Sequence, residues 1–354
     1  MDTLQRVAMT ADGIQSMRRA RESAVQQAAE LFYAKHGKAY ERFGDAGRKA
    51  CRDDLAFHLD FMEPALEYGR PEPFLAYLRW LRSVLRSRGV PADHLLFSLQ
   101  LLVDALAPTL APADRDALDA LVGRAGQALL QPECVFADLG ERAGTAATGM
   151  CDALLKGDRR TALSLLQGDI AAGGSYSDAQ VRLVQAAMYD VGARWQLNRV
   201  SVAQEHLATA TAQTVITQSL VSQPAAEARR ESVILACVEG NHHALGLRMV
   251  ADAFELAGWR VTYLGANTPA RFLCEMARES RPSVIGLSTA LPQHLRAART
   301  TIVALRATFG DACPRILLGG LAVNLLPGIA TVLGADAALR DAAECSDYAS
   351  AEAA

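Results

Sequence analysis

The chain has 354 residues, 36 Lys and Arg against 39 Asp and Glu, and a formal net charge of −3. That length predicts two or three domains. The near-even charge gives no sign of the basic face with which a nucleic-acid binder engages phosphates, and no run of about 18 apolar residues suggests a membrane span. The opening MDTLQRVAMTADG lacks the positive-then-apolar order of a secretion signal, so a cytoplasmic protein is expected. The seven cysteines (Cys51, Cys134, Cys151, Cys237, Cys274, Cys313, Cys345) form no Cys-x-x-Cys pair. They read as small buried hydrophobes rather than as a zinc site or a disulfide framework.

Residues 1–148 read as an all-α domain. Between Asp53 and Val90, Leu55, Leu59, Met62, Leu66, Phe74, Leu78, Leu81 and Leu85 recur at helical spacing, interrupted by Gly69-Arg70-Pro71. A further helix is predicted over Ala92–Leu106. The next follows Ala111-Pro112-Ala113, with Asp114 as its expected N-cap. Residues 149–223 predict a four-helix bundle built from Thr145–Lys156, Arg159–Gly168, Ser177–Asn198 and Val202–Ser222. Gln223–Arg230 then reads as a linker.

Residues 232–345 change texture. Short apolar runs at 232–238, 260–265, 283–289, 315–320 and 335–340 alternate with helical patterns at Ala244–Ala257, 269–279, 292–308 and near Leu326–Leu333. Continuous apolar strands separated by helices predict a Rossmann-like, doubly wound parallel sheet. Ligands of such sheets sit beyond the carboxyl ends of the strands, so the loops 239–246, 265–269, 288–295 and 319–325 are the ones to watch.

The first of these loops reads Glu239-Gly240-Asn241-His242-His243-Ala244-Leu245-Gly246. Taken alone, two histidines could merely open a helix in an unrelated doubly wound domain. The loop resembles the Asp-x-His-x-x-Gly signature of cobalamin-binding domains, with His243 at the ligand position and Gly246 at the glycine. The resemblance implies that His243 is the lower axial cobalt ligand. His242 competes but stands at the wrong distance from Gly246. The family's acid is replaced by Asn241, which is expected to accept the ring N–H of His243 through its carbonyl oxygen, without a charge. Ser288-Thr289-Ala290-Leu291 resembles the family's serine loop, imperfectly at Ala290, and Gly319-Gly320 its glycine pair. These loops are expected to line a slot for the cofactor's nucleotide tail, with Ser288 bonding it. Without a Gly-x-Gly-x-x-Gly after the first strand, a nicotinamide site is not expected.

In the bundle, Trp195 is followed after nine residues by Glu205-His206. This spacing resembles adenosylcobalamin-dependent bacterial photoreceptors. It implies that Trp195 packs over the adenosyl group, with Val202 near the adenine. Glu205 would bond the adenosine, and His206 would capture cobalt after light breaks the Co–C bond. Otherwise Trp195 is a core aromatic and Glu205-His206 a solvated first turn capped by Ser201.

The N-terminal stretches Arg48–Leu59 and Phe74–Leu81 resemble photocobilins, which add biliverdin in a globin-like helical domain. That likeness implies Asp54 or His58 for the pyrroles, Arg52 or Arg79 for the propionates, Tyr77 and Trp80 for stacking, and Cys51 as a conceivable thioether site. A plain dimerisation bundle remains the alternative.

Together these features predict a light sensor rather than an enzyme. It would bind adenosylcobalamin, with biliverdin as the second chromophore that the photocobilin likeness implies, and signal through light-dependent dimer or tetramer assembly or a separate effector. The alternatives are a corrinoid methyl carrier, for which an occupied upper face is unfavourable, and a cobalamin-sensing module indifferent to light.

Overall fold

The computed structural model describes residues 7–131 and 145–351. The chain divides into two compact units, Met1–Cys134 and Val135–Ala354. Cys134 lies outside the described residues.

The described part of the first unit is helical throughout. It contains α1 (Ala11–Tyr40), α2 (Gly44–Tyr68), α3 (Glu72–Ser87), α4 (Asp93–Leu106) and α5 (Pro112–Leu130). Gly69, in the left-handed region at φ 64°, ends α2 where the sequence predicted the break. Asp114 departs from its expected role. The cap position of α5 falls on Ala111. Asp114 is instead buried and accepts from the Thr10 amide (2.7 Å) and hydroxyl (2.8 Å), 104 residues away. A carboxylate can stop either its own helix or a distant one, and here the distant chain end is the better partner.

His58 is buried among these helices, with Nδ1 2.9 Å from the Tyr77 hydroxyl. Burial pushes its pKa down to about 4. An unfolded histidine takes its proton near 6.5, the folded one only near 4, so the unfolded state binds more protons in between. This contribution is complete above pH 6.5 and is lost as pH falls toward 4, a change on the order of 3 kcal/mol. Urea unfolding of the full chain between pH 7 and 4.5 should therefore show a steeper loss of stability in wild type than in His58→Phe. Parallel slopes would exclude this role.

The described second unit begins with α6 (Thr145–Leu155), α7 (Arg159–Ala171), α8 (Tyr176–Ala179), a π-helical turn (Gln180–Gln185), α9 (Ala186–Gln196) and α10 (Val202–Leu220). The predicted third bundle helix is thus interrupted by the wider turn. The sheet domain follows as β1 (Ser232–Val238), α11 (Leu245–Leu256), β2 (Arg260–Thr268), α12 (Ala270–Ser280), β3 (Val284–Ser288), α13 (Leu295–Phe309), β4 (Arg315–Gly319), α14 (Leu321–Asn324), α15 (Ile329–Leu333), β5 (Ala337–Leu339) and α16 (Ala342–Ala351). All strand pairs are parallel, in the order β2-β1-β3-β4-β5. The short helix expected near Leu326–Leu333 is α15, and α14 precedes it directly after β4. Val233, Leu235, Cys237, Phe254 and Trp259 fill one side of the sheet.

The bundle packs its own core (Met150, Leu154, Leu183, Ala212, Ile216) onto Met249 of α11 and Ala342 of α16. Polar contacts lock this seam. From the π-turn, buried Gln180 donates to Asp252 Oδ2 (2.9 Å), and Asp252 pairs with Arg248 at 2.6 Å one turn earlier on α11. The Tyr176 hydroxyl donates to the Ile216 carbonyl at 2.6 Å. Among the described residues, no helix is long and apolar enough to cross a membrane.

Candidate functional site

Strand order reverses direction between β1 and β3, which opens a crevice at their carboxyl ends. The loop after β1 lies there. Asn241 is fully buried in it, and its two ends are assigned by the backbone groups they meet. Its Nδ2 donates to the Ser288 carbonyl (2.9 Å), and its Oδ1 accepts the His243 amide (3.1 Å). The expected bond to the His243 ring is therefore not made. Asn241 ties the β1 loop to β3 instead, and its amide donates and accepts in that position where an ionised carboxylate could only accept. The Cys237 thiol points at the His243 carbonyl (3.7 Å), so the backbone of His243 is held on both sides while its side chain remains exposed. Crowding by surrounding protein pushes the His243 pKa down, Glu205 opposes this, and His242 adds to it. The neutral ring is the form that ligates a metal. His242 is also exposed.

Two residues that sequence reasoning missed frame this loop. Asn267, at the end of β2 with φ 53°, accepts the Gly240 amide (2.8 Å), and its own amide donates to the Asn241 carbonyl (2.9 Å). His294, buried after β3, accepts the Leu291 amide on Nδ1 (3.2 Å), and its other side faces Gly240, where a Cβ would stand 4.0 Å from its Cδ2. Burial and the neighbouring His243 push its pKa down to about 4. The positive-φ asparagine carries no signature of its own, and a lone histidine after Leu-Pro-Gln reads like any loop residue.

The other predicted residues divide by role. Ser288 is buried at the crevice floor, beside Cys237. Thr289 is fully buried, and its amide and hydroxyl both donate to the Gly319 carbonyl (2.9 and 3.2 Å), so it braces the glycine pair from behind. Leu291 is half-buried beside His294, and Leu245 packs against the bundle core. Gly319 and Gly320 are partly exposed. A Cβ on Gly246, by contrast, would meet no atom within 4 Å, so nothing in the chain itself requires glycine there.

Above the loop, Ser201 and Gln204 form a reciprocal capping box that starts α10 and places Val202, Glu205 and His206 in its first turns. Glu205 Oε1 accepts the Thr209 hydroxyl (2.9 Å) and Oε2 lies 2.6 Å from His206 Nδ1. Because Glu205 acts on the His243 charge, this turn stands within electrostatic reach of the loop. Val202 and His206 are exposed, and Trp195 is half-buried in the last turn of α9.

In the first unit, Cys51, Asp54 and His58 line a cavity of about 360 Å³ with Phe32, Tyr33, Tyr40, Phe43 and His94. Arg52, Tyr77, Arg79 and Trp80 are not brought to its wall. Tyr77 lies one layer behind, stacked on Phe61 at 3.9 Å, and Arg79 reaches Gln131. The cavity is enclosed chiefly by α1, α2 and α4, whereas those three α3 residues point elsewhere.

Residues 231–346 match the family described as B12 binding domain, and residues 146–218 match a second family with the same description. The second unit therefore carries cobalamin-binding domains. Among known proteins, the chain is 32% identical over 135 residues to the HTH-type transcriptional repressor CarH of Myxococcus xanthus, an overlap of 38% of this chain and 44% of that one. It is 40% identical over 90 residues to CarA, an HTH-type transcriptional repressor of the same organism, over 25% of this chain and 31% of that one. The chain thus spans less than half the length of either repressor. It is also 28% identical over 143 residues to trimethylamine corrinoid protein 1 of Methanosarcina acetivorans, over 39% of this chain and 65% of that protein.

The residues present fit a cobalamin held through histidine. An imidazole with a lowered pKa stands exposed at the sheet's switch point, its backbone pinned, with an unobstructed glycine three residues on.

Proposed function

We propose that the chain is a light sensor that binds adenosylcobalamin with His243 as lower axial ligand and changes its domain arrangement and assembly on illumination. The observation that carries this reading is the first turn of α10, where Glu205 and His206 are paired within electrostatic reach of His243. When bound, adenosylcobalamin supplies a weak cobalt–carbon bond that visible light breaks. The chain's own residues do the rest. His243 offers a neutral nitrogen, Asn241 and Cys237 fix its backbone, and Ser288 offers a hydroxyl at the slot floor. Glu205 would exchange a present partner, His206 or the Thr209 hydroxyl, for a hydroxyl of the cofactor's upper group. His206, exposed and held only by Glu205 among the described contacts, can turn toward the site once the upper face is vacated.

The sequence likeness to a trimethylamine corrinoid protein favours a second reading, a methyl carrier. Absorbance spectra of dark-loaded protein before and after green light decide between them, with size-exclusion chromatography alongside. The sensor reading expects a stable spectral change and a change in assembly in wild type, with the final spectrum altered in His206→Ala. His243→Ala should lose imidazole ligation and hold the cofactor more weakly, by at least the roughly tenfold that loss of a ligand's outer-shell partner costs. A light-indifferent complex that passes a methyl group to a thiol would establish the carrier instead.

A second chromophore is proposed for the cavity of the first unit, whose aromatic walls suit a biliverdin and whose Asp54 and His58 suit its pyrrole nitrogens. Burial pushes the Cys51 thiol up to about 11, which disfavours the thiolate needed for thioether formation. Added biliverdin should therefore bind and be fully extracted under denaturing conditions. A bilin that stays with the denatured chain would refute non-covalent binding.

A further inference from the structure

His294 lies outside every motif that the cobalamin signature uses, yet it is buried against the loop that carries His243. It stands in the short Pro292–His294 turn after β3. Its backbone amide donates to the Leu291 carbonyl (2.9 Å), and the Leu291 amide donates back to the ring at Nδ1 (3.2 Å). An Nδ1 that accepts carries no proton, so the single ring proton sits on the opposite nitrogen. That side of the ring faces Gly240, whose Cβ, were there one, would stand 4.0 Å from His294 Cδ2. The Gly240 backbone is thus the group that this nitrogen would meet. Gly240 itself has φ 81° and is held from the opposite side by Asn267, through its amide. The lower-ligand loop is therefore clamped between β2 and the turn after β3, and one neutral imidazole is the second jaw.

We propose that His294 is a positioning residue for cobalt ligation: its ring spans from the Leu291 amide to the Gly240 backbone and thereby holds the β1 loop where His243 can displace the cofactor's own base. This rests on the reading that His243 ligates cobalt. Its requirement is specific, an acceptor near the helix side and a donor about one ring-width away, which no other side chain provides in full. Asparagine can imitate the near acceptor, glutamine the far donor, and phenylalanine only the volume.

The experiment loads 15N-histidine-labelled full-length protein with cob(II)alamin and reads the cobalt superhyperfine pattern by electron paramagnetic resonance. A 15N imidazole gives doublets, and the cofactor's own 14N base gives triplets, so the ratio of the two forms is measured directly. Wild type should be almost wholly in the doublet form. His294→Asn and His294→Phe should shift the ratio toward triplets by at least about tenfold, with His294→Gln within about threefold of wild type. A role confined to folding would lower the melting temperature of the apo-protein without this ranking. Doublets retained in all three variants, or an asparagine variant equal to or better than glutamine, overturn the proposal. Should the phenylalanine variant fail to fold, the asparagine–glutamine comparison decides alone. Triplets in wild type, or doublets that survive His243→Ala, would instead overturn the ligand assignment itself.

Discussion

Gly320→Ala is expected to destabilise the sheet domain by about 3 kcal/mol or more, and to do so before any ligand is considered. Gly320 has φ 103° and ψ 166°, a region that side chains essentially never enter. A Cβ there would lie 2.3 Å from the Thr289 carbonyl oxygen and within 3 Å of the Thr289 carbonyl carbon and amide nitrogen. Those are backbone atoms. Thr289 cannot yield, because its amide is bonded to the Gly319 carbonyl and its own carbonyl accepts the Ala322 amide. Chemical denaturation of the apo-protein checks this. The informative companion is Gly246→Ala, where a Cβ meets nothing and alanine favours the helix it would join. That variant should be as stable as wild type or slightly more so, and any loss of cobalamin affinity it shows is then a loss of room for the ligand. Two glycines of one family signature would thus separate into one required by the fold and one required by the guest. A Gly320→Ala protein with wild-type stability would mean that the β4 turn relaxes freely, contrary to its bonding.

The second large effect concerns the residue at which this chain departs from the family. Asn241→Asp restores the expected acid, and it is nevertheless expected to cost the apo-protein about 2 kcal/mol or more at pH 7. The Asn241 amide donates to the Ser288 carbonyl at 2.9 Å in a fully buried setting. A carboxylate there loses that bond and sets a negative oxygen against a carbonyl oxygen. The bond from the His243 amide survives, so the site is not destroyed. Desolvation and the carbonyl together hold the new carboxyl above the usual carboxylate range, since only its protonated form can donate to Ser288. The folded state then binds more protons than the unfolded state between the ordinary and the raised pKa. The stability gap between variant and wild type must therefore narrow as the solution is acidified. Paired urea titrations at neutral and mildly acidic pH test it. A gap that widens on acidification would show that the carboxylate has found a cationic partner.

Much of this architecture was readable from the chain. The strands announce themselves because each is a short continuous apolar run between helical patterns, and β1, β3 and β4 fall within a residue or two of where they were expected. The position of His243 was readable for the same reason, since a strand end followed by a helix can point in few directions. What could not be read depends on partners far along the chain. The use of Asn241 is decided by a carbonyl 47 residues away, and that of Asp114 by a backbone 104 residues away. The wall of the first unit's cavity depends on which faces of α1, α2 and α4 turn toward one another. Helical periodicity reports that α3 has an apolar face but not that its Tyr77 lies behind the wall rather than on it.

The π-turn at Gln180–Gln185 has a consequence for length rather than for chemistry. Such a turn takes one residue more than an α-helical turn, and each residue advances an α-helix by about 100°. Upstream of it the helix grips Asp252 through Gln180, and downstream it carries Trp195. The wide turn absorbs the extra residue, so the anchored end and the end that bears the tryptophan keep the rotational phase of an α-helix one residue shorter. A single deletion that closes the wide turn to an ordinary α-turn would therefore leave Trp195 facing as it does, whereas an added residue with no such turn to absorb it would swing Trp195 by about 100° relative to the grip. In this segment the wide turn lets the chain carry one residue more than an α-helix without changing the face that the bundle shows to the sheet.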